Sequence, residues 1–281
     1  MKLKIDQHIK DLIAMALAED IGTADITSNA LIPENLEGEA KIIAKEELVL
    51  AGQEVAKAVC AQVDGRIVYK ELKSDGELVR VGQEVAKLSG PVRSILAAER
   101  VLLNFMQRLS GVANKAREFV LKLEGTGVDL VDTRKTTPGF RMLEKYATVL
   151  GGAANHRIGL FDAVLIKENH LMASGLSPAE GVKEARQKQP EVFIQVEVRS
   201  IEELKLALSS SPDGVLLDNF SPEQVKEAVS LVKDTSLVME VSGGITLDIL
   251  SSYAIPGVSR ISVGALTHSA KAADLSLLYE F

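Results

Sequence analysis

Apolar side chains recur at helical spacing near the start of the chain, at Ile5, Ile9, Leu12, Ile13, Ala16 and Leu17, which predicts an amphipathic helix over 4–19 before the polar turn EDIGTADITS. The period then changes. Between Gly38 and Leu88 the runs EAKIIAKEELVLAG, GRIVYKEL and ELVRVGQEVAKLSG read as short strands, and the Asp-Gly pairs at 64–65 and 75–76 predict hairpins between them. The hexapeptide GQEVAK occurs at 52–57 and again at 82–87. Its first copy runs into the helical AKAVCAQV and its second into LSGPV, so it marks no repeat. After Pro91, RSILAAERVLLNFMQRL opens a long helix that passes through SGVAN and reaches Lys122.

A different rhythm begins at Val128. The runs VDLVD, AVLIK, VFIQVEV, GVLLD, LVMEV and RISVG are each followed by a polar or helical stretch. This is the spacing of βα units in a parallel sheet, closed or nearly closed into a barrel. An eight-stranded closure needs two more strands than the pattern offers. The expected fold class is therefore α/β: an N-terminal α+β domain at 1–110, then an open, incomplete α/β barrel at 111–269. The tail 270–281 is expected to pack back on the first domain.

Composition narrows the function. With 281 residues, 46% of them hydrophobic, the chain can bury a large core. Its longest apolar runs, such as AVLI at 163–166, are too short to cross a bilayer, and MKLKIDQHIKD at the start lacks an apolar export segment. A cytoplasmic protein with no membrane contact is expected. Cys60 is the single cysteine, so no disulfide forms within the chain, and a small buried hydrophobe is the expected role. A net charge of −7 and the lack of tryptophan argue against a nucleic-acid partner. One segment runs the other way: residues 132–170 carry a net +2, leaving −9 for the rest. Within it, DTRKTTPGFR crowds three cations around a Pro-Gly turn.

In βα barrels the C-terminal ends of the strands build the active site. The residues there are Arg134 and Lys135, Lys167, Glu197, Asp218, then Ser242, Gly243 and Gly244, then Gly264. The glycine-rich ends SGGIT and SVGALTHS follow the last two strands, where backbone N–H groups can converge on a phosphate, although tight turns alone would also favour glycine. Arg134, Lys135, His156, Arg157 and Lys167 exceed what one phosphate requires, and arginine suits two-point recognition of carboxylate or phosphate. Glu197 and Asp218 could hold Mg²⁺, ribose hydroxyls or a developing cation; the simpler reading is an ion pair with Lys167 or Lys135. Together these residues point to a phosphorylated, multiply anionic substrate and a metal ion.

Taken in order, DTRKTTPGFR, GGAANHRIGLFDAVLIKENH, VEV, LLDNF, EVSGGI and ISVGALTHSA resemble the quinolinate phosphoribosyltransferases, also called carboxylating nicotinate-nucleotide pyrophosphorylases. EDIGTADITS and AAERVLLNFMQRLSG extend the likeness over almost the whole chain. The resemblance implies condensation of quinolinate with phosphoribosyl pyrophosphate in de novo NAD synthesis, using Mg²⁺ and giving nicotinate mononucleotide, pyrophosphate and CO2. It implies that Arg134, His156 and Arg157 grip the quinolinate carboxylates, joined by Arg100 from the neighbouring subunit of a homodimer with shared active sites. Lys135 and Lys167 would face phosphoribosyl pyrophosphate, with Lys167 near the reacting centre. Glu197 and Asp218 would hold the ribose hydroxyls and Mg²⁺, and Ser242, Gly243, Gly244 and Gly264 would cradle the 5′-phosphate.

Two positions depart from the expected family pattern. Gln195 stands where the first Glu of a VEVEV run is expected, and Ala24 where Gly is common. Gln195 removes a negative charge near Glu197, which weakens the case for a second carboxylate assisting the metal. Three other readings fit less of the sequence. A paralogue of the same fold with another substrate is opposed in part by DTRKT and HR. A Schiff-base aldolase using Lys167 leaves the Arg and His surplus unused. A biotinyl-type carrier lacks a lysine at its hairpin tip.

Overall fold

The computed structural model describes residues 3–232 and 236–280. Two compact units divide the chain. The first takes the chain up to Lys115, Pro138–Gly151 and everything from Ala270; the second takes Ala116–Thr137 and Gly152–Ser269.

The first unit opens with α1 (Gln7–Ile21), begun by Asp6, whose carboxylate accepts the N–H of Ile9, and ended at Gly22 in a positive-φ conformation. Ile9, Ile13 and Leu17, four residues apart, bury one face. Ile13 is fully buried, and Ile13→Ala would cost about 2–5 kcal/mol. α2 (Ile26–Leu31) is capped by Asp25, and Ala24 lies exposed just before that cap. Then come β1 (Glu37–Ala44), β2 (Leu48–Val49), α3 (Gln53–Val63), β3 (Val68–Glu71), β4 (Leu78–Val79), β5 (Glu84–Pro91) and α4 (Val92–Leu123). Among the described residues, β1 lies between β5 and the tail strand Leu275–Glu280, antiparallel to both, and β3 pairs with the far side of β5. α5 (Arg141–Leu150) belongs to this unit as well.

The hairpins expected at the Asp-Gly pairs do not form. β3 pairs with β5 and β4 with β2, so neither pair of residues joins two partnered strands. The reason lies in α3, whose Val55, Ala56, Val59 and Cys60 need a core and draw the chain away from its strand. Asp64 ends α3 and accepts from Arg66 and from the Ser94 hydroxyl at 2.7 Å, while Asp75 accepts the Tyr146 hydroxyl at 2.9 Å. The two GQEVAK copies diverge for a related reason. Gly52 adopts φ +110° with Met106 so close that a Cβ would sit 3.2 Å from its Cα, and this turn launches α3. The second copy has β1 beside it and continues as β5. Burial pushes the Cys60 thiol up to about 12, which leaves it inert. α4 runs without a break across 110–111, where the sequence pattern places a domain boundary.

The second unit alternates strands and helices: β6 (Asp129–Val131), β7 (Val164–Ile166), α6 (Glu168–Ser174), α7 (Pro178–Lys188), β8 (Ile194–Val198), α8 (Ile201–Leu208), β9 (Gly214–Asp218), α9 (Pro222–Leu231), β10 (Val238–Ser242), β11 (Arg260–Ser262) and α10 (Ala265–His268). Among the described residues six parallel strands form one sheet in the order β6, β11, β10, β9, β8, β7. Its edges β6 and β7 are unpaired with each other, so the barrel is open. Side chains alternate across it. Ile194, Val196, Val198, Val215, Leu217, Met239, Val241 and Ile261 fill the core, while Glu197, Leu216, Asp218, Glu240, Ser242 and Ser262 face the other way. Serine caps start three of its helices: Ser177 with Glu180 at α7, Ser200 at α8, and Ser221 with Gln224 at α9. No described helix is long and apolar enough to cross a membrane.

Candidate active site

The second unit holds a cleft of about 470 Å³ lined by Arg134, Lys135, His156, Arg157, Lys167, Glu197, Asp218 and Ser242, all expected from the sequence, and by Thr133, Leu165, Leu216, Glu240 and Ser262. Because the strands are parallel and in register, residues of one parity at their C-terminal ends converge there. Only the first half of DTRKTTPGFR contributes; the segment from Pro138, with Arg141 and the buried Lys145, belongs to the first unit. Arg100 is exposed on α4 in the first unit and is not among the cleft residues.

The rim is exposed and charged. Lys167 Nζ lies 2.8 Å from Glu197 Oε2, so the ion pair allowed by the sequence forms. The lysine side chain of this pair is 47% exposed and the glutamate side chain 9%, so water and an arriving anion reach it from the lysine side. The Lys167 backbone N–H donates to His170 Nδ1 at 3.0 Å, which anchors this residue at the start of α6. Asp218 accepts from Asn219 Nδ2 at 2.9 Å, and Arg199 lies between Asp218 and Glu168, in contact with the latter. Asn219 has φ +59° and donates its N–H to the Ser242 carbonyl at 2.9 Å. Gly243 sits directly against it, with φ +104° and room for no Cβ, which would lie 2.8 Å from the Asn219 nitrogen. The glycine after Ser242 thus lets β9 and β10 end side by side. Gly244 is exposed, and a Cβ on Gly264 would meet Lys135 Cδ at 2.9 Å.

The floor is buried and fully connected on one side. Glu240 is 0% exposed, and its Oε2 accepts from Arg260 Nε at 2.7 Å, Gln195 Nε2 at 3.0 Å and His156 Nε2 at 3.2 Å. Burial alone would raise the Glu240 carboxyl, but the hydrogen bond from His156 and the charge that ring brings when protonated, followed by the Arg260 charge and a hydrogen bond with Ser262, overcome it and hold the group at about 2. Beside this network, Arg157 Nη1 donates to the Ala163 carbonyl at 2.9 Å. Burial, and then the like charge of Arg134, lower the Arg157 pKa. Two guanidinium groups held near one another in a partly buried cleft are relieved by an anion.

Comparison with known proteins decides which family the chain belongs to. Residues 25–110 match the N-terminal domain, and residues 112–278 the C-terminal domain, of quinolinate phosphoribosyl transferase. The chain belongs to the quinolinate phosphoribosyltransferase family. A Bacillus subtilis (strain 168) relative, named a probable carboxylating nicotinate-nucleotide pyrophosphorylase, is 42% identical over 96% of this chain and 93% of its own length. The carboxylating nicotinate-nucleotide pyrophosphorylase of Mycobacterium leprae (strain TN) is 38% identical over 95% of this chain and 96% of its own length. The solved nicotinate-nucleotide pyrophosphorylase of Francisella tularensis superimposes with a TM-score of 0.93 at 42% identity, covering 99% of this chain and 98% of that one. Strand-end reasoning overlooked Glu240 in the cleft lining, and Arg260, Asn219 and Arg199, which contact lining residues without lining the cleft themselves. The parity of β10 would have found Glu240, two residues before Ser242 and therefore on the same side. Asn219 and Arg199 each sit one residue past the end of their strand.

Proposed function

We propose that this cleft is where the chain transfers a phosphoribosyl group to quinolinate. The protein is a decarboxylating phosphoribosyltransferase: quinolinate and phosphoribosyl pyrophosphate give nicotinate mononucleotide, pyrophosphate and CO2. The observation that carries the site assignment is the pairing of opposites in one cleft, Arg134 and Arg157 close together on one part and Glu197 and Asp218 on another. The guanidinium groups suit the two carboxylates of quinolinate, with His156 beside them. The carboxylates suit ribose hydroxyls and a sugar carbon that turns cationic, while Lys135 and Lys167 answer the phosphates. The turn at Ser242, Gly243 and Gly244, with Gly264, suits the 5′-phosphate.

The chemistry follows from those placements. The bond from ribose C1 to pyrophosphate breaks with its electron pair on the leaving oxygen, and the pyridine nitrogen bonds to C1. The pyridinium so formed withdraws electrons from the ring, and the bond to the adjacent carboxylate breaks with its pair left on the ring carbon. CO2 departs and that carbon takes a proton. Carboxylates near C1 stabilise the cationic stage, and the arginines hold the ring for in-line attack.

Among the described residues no cluster of three or more His, Cys, Asp or Glu side chains is arranged to hold a metal. Glu197 and Asp218, two carboxylates in one cleft, still fit Mg²⁺, which is commonly held by one or two carboxylates with substrate phosphates and water. When bound it would neutralise charge on pyrophosphate. We further propose a cytoplasmic homodimer in which Arg100 of each copy completes the other's site. The test is incubation with quinolinate, phosphoribosyl pyrophosphate and Mg²⁺, following CO2 and nicotinate mononucleotide together. Equal amounts of both are expected; neither product, or the nucleotide without CO2, would overturn the reading.

A further inference from the structure

We propose that Glu240, held by Gln195 and Arg260, is a positioning residue that fixes the ring of His156 and, through it, the backbone of Arg157 at the part of the cleft meant for the quinolinate carboxylates. The proposal rests on the assignment of Arg157 to a carboxylate made above.

The directions of the hydrogen bonds make the case. Arg260 Nη2 donates to Gln195 Oε1 at 3.3 Å, so the Gln195 amide oxygen faces Arg260 and its NH2 faces Glu240. Glu240 is thereby given two donors from the barrel, and its Oε2 aims at His156. On the other side of the ring the Arg157 backbone N–H donates to His156 Nδ1 at 2.7 Å. A nitrogen that accepts an N–H carries no proton, so the ring proton lies on Nε2 and points to Glu240. The His156 backbone is fixed as well, its N–H donating to the fully buried Asp132 at 2.8 Å. Both ring nitrogens being engaged, the direct hold that this chain's own cleft offers the carboxylates falls to the guanidinium groups of Arg134 and Arg157, and His156 acts by placing Arg157.

This gives Gln195 a purpose other than the one the sequence suggested. It is buried within β8 and bonded to Glu240, two residues away from the rim carboxylate Glu197. A glutamate there would remove the donor and set a second carboxylate against a fully buried one. The amide keeps one net carboxylate opposite Arg260 and lets Glu240 remain an acceptor for the His156 proton. Ser262, on the neighbouring strand, also hydrogen-bonds the Glu240 carboxylate and adds to its hold.

The test compares the intact enzyme with Gln195→Leu, Glu240→Gln and Arg157→Lys. Each substrate's KM is measured with the other saturating, and ¹⁵N-histidine labelling follows the four histidines, the His156 signal being identified by its loss in His156→Gln. The wild type should show His156 with its proton on Nε2. Gln195→Leu and Glu240→Gln should mix the two tautomers and raise the quinolinate KM about tenfold or more, the size expected for supporting hydrogen-bond partners. The KM for phosphoribosyl pyrophosphate should stay within about twofold, since those partners lie on the arginine side. If Glu240→Gln does not fold, Gln195→Leu carries the test. Should Arg157→Lys leave the quinolinate KM unchanged, the carboxylate assignment is wrong. Should Arg157→Lys raise it while the other two variants do not, or should they raise both KM values alike, the positioning proposal is wrong.

Discussion

The rim and the floor of the cleft use the same kinds of side chain in opposite ways. At the rim, Lys167 and Glu197 form a pair whose lysine is 47% exposed. On the floor, Glu240 is fully buried and three donors converge on one of its oxygens. An ion pair open to water on its lysine side is held less firmly than a buried network, which suits the phosphate-binding role proposed for Lys167. A buried carboxylate deprived of a donor costs several kcal/mol, so the floor network has one arrangement and keeps it. The difference teaches that charge in this cleft has two jobs. Charge open to water can change partners, and buried charge holds other residues still.

The largest effect should come from asking whether the rim is complete within one chain. Arg100→Ala and Lys135→Ala are each expected to be nearly inactive. When the two are unfolded and refolded together in equal amounts, random pairing puts half the dimers in mixed form, and one site in each mixed dimer contains neither substitution. About a quarter of wild-type activity should return under two-fold symmetry. A mixture in which mixed dimers form and activity stays at the level of its components would assign Arg100 to its own chain.

A smaller effect separates rim from floor. Asp218→Asn should raise the Mg²⁺ concentration needed for half-maximal rate by roughly 10–100-fold and leave the quinolinate KM unchanged. Titration of Mg²⁺ at saturating substrates, followed by a quinolinate titration at saturating Mg²⁺, checks both halves. A change confined to quinolinate would place Asp218 with the floor.

The smallest effect concerns stability. The Glu240 carboxyl sits at about 2, below its ordinary 4.5. A depressed carboxylate contributes stability that is full above the ordinary value and lost as pH falls through the folded one. The wild type should lose this contribution between pH 4.5 and about 2, whereas Glu240→Gln has none to lose. Urea unfolding followed from pH 7 downward should show a flatter acid limb for the variant, and parallel curves would show that Glu240 carries no such contribution.

The rim was legible in the sequence because it sits where β runs end, and chain order alone delivers Lys167, Glu197, Asp218 and Ser242 to one end of a parallel sheet. The strands themselves were legible from their apolar runs, all six of which form. The floor was not, because Glu240 and Arg260 acquire their meaning from β10 and β11 lying in register, where Glu240 faces Arg260. Gln195 looked like a missing charge when read along β8, and becomes a donor only when the neighbouring strands are in place. The two GQEVAK copies make the same point in the first unit, since identical hexapeptides become helix and strand according to what packs against them.

If the cleft's arginines serve two carboxylates on one ring, kcat/KM for quinolinate against nicotinate, measured with phosphoribosyl pyrophosphate and Mg²⁺ saturating, reads that arrangement most directly. A site that leaves a half-buried guanidinium without its partner when the second carboxylate is missing discriminates against that substrate. Quinolinate should be preferred by at least about a hundredfold, with one CO2 released per nucleotide formed. Comparable turnover of nicotinate would contradict the account.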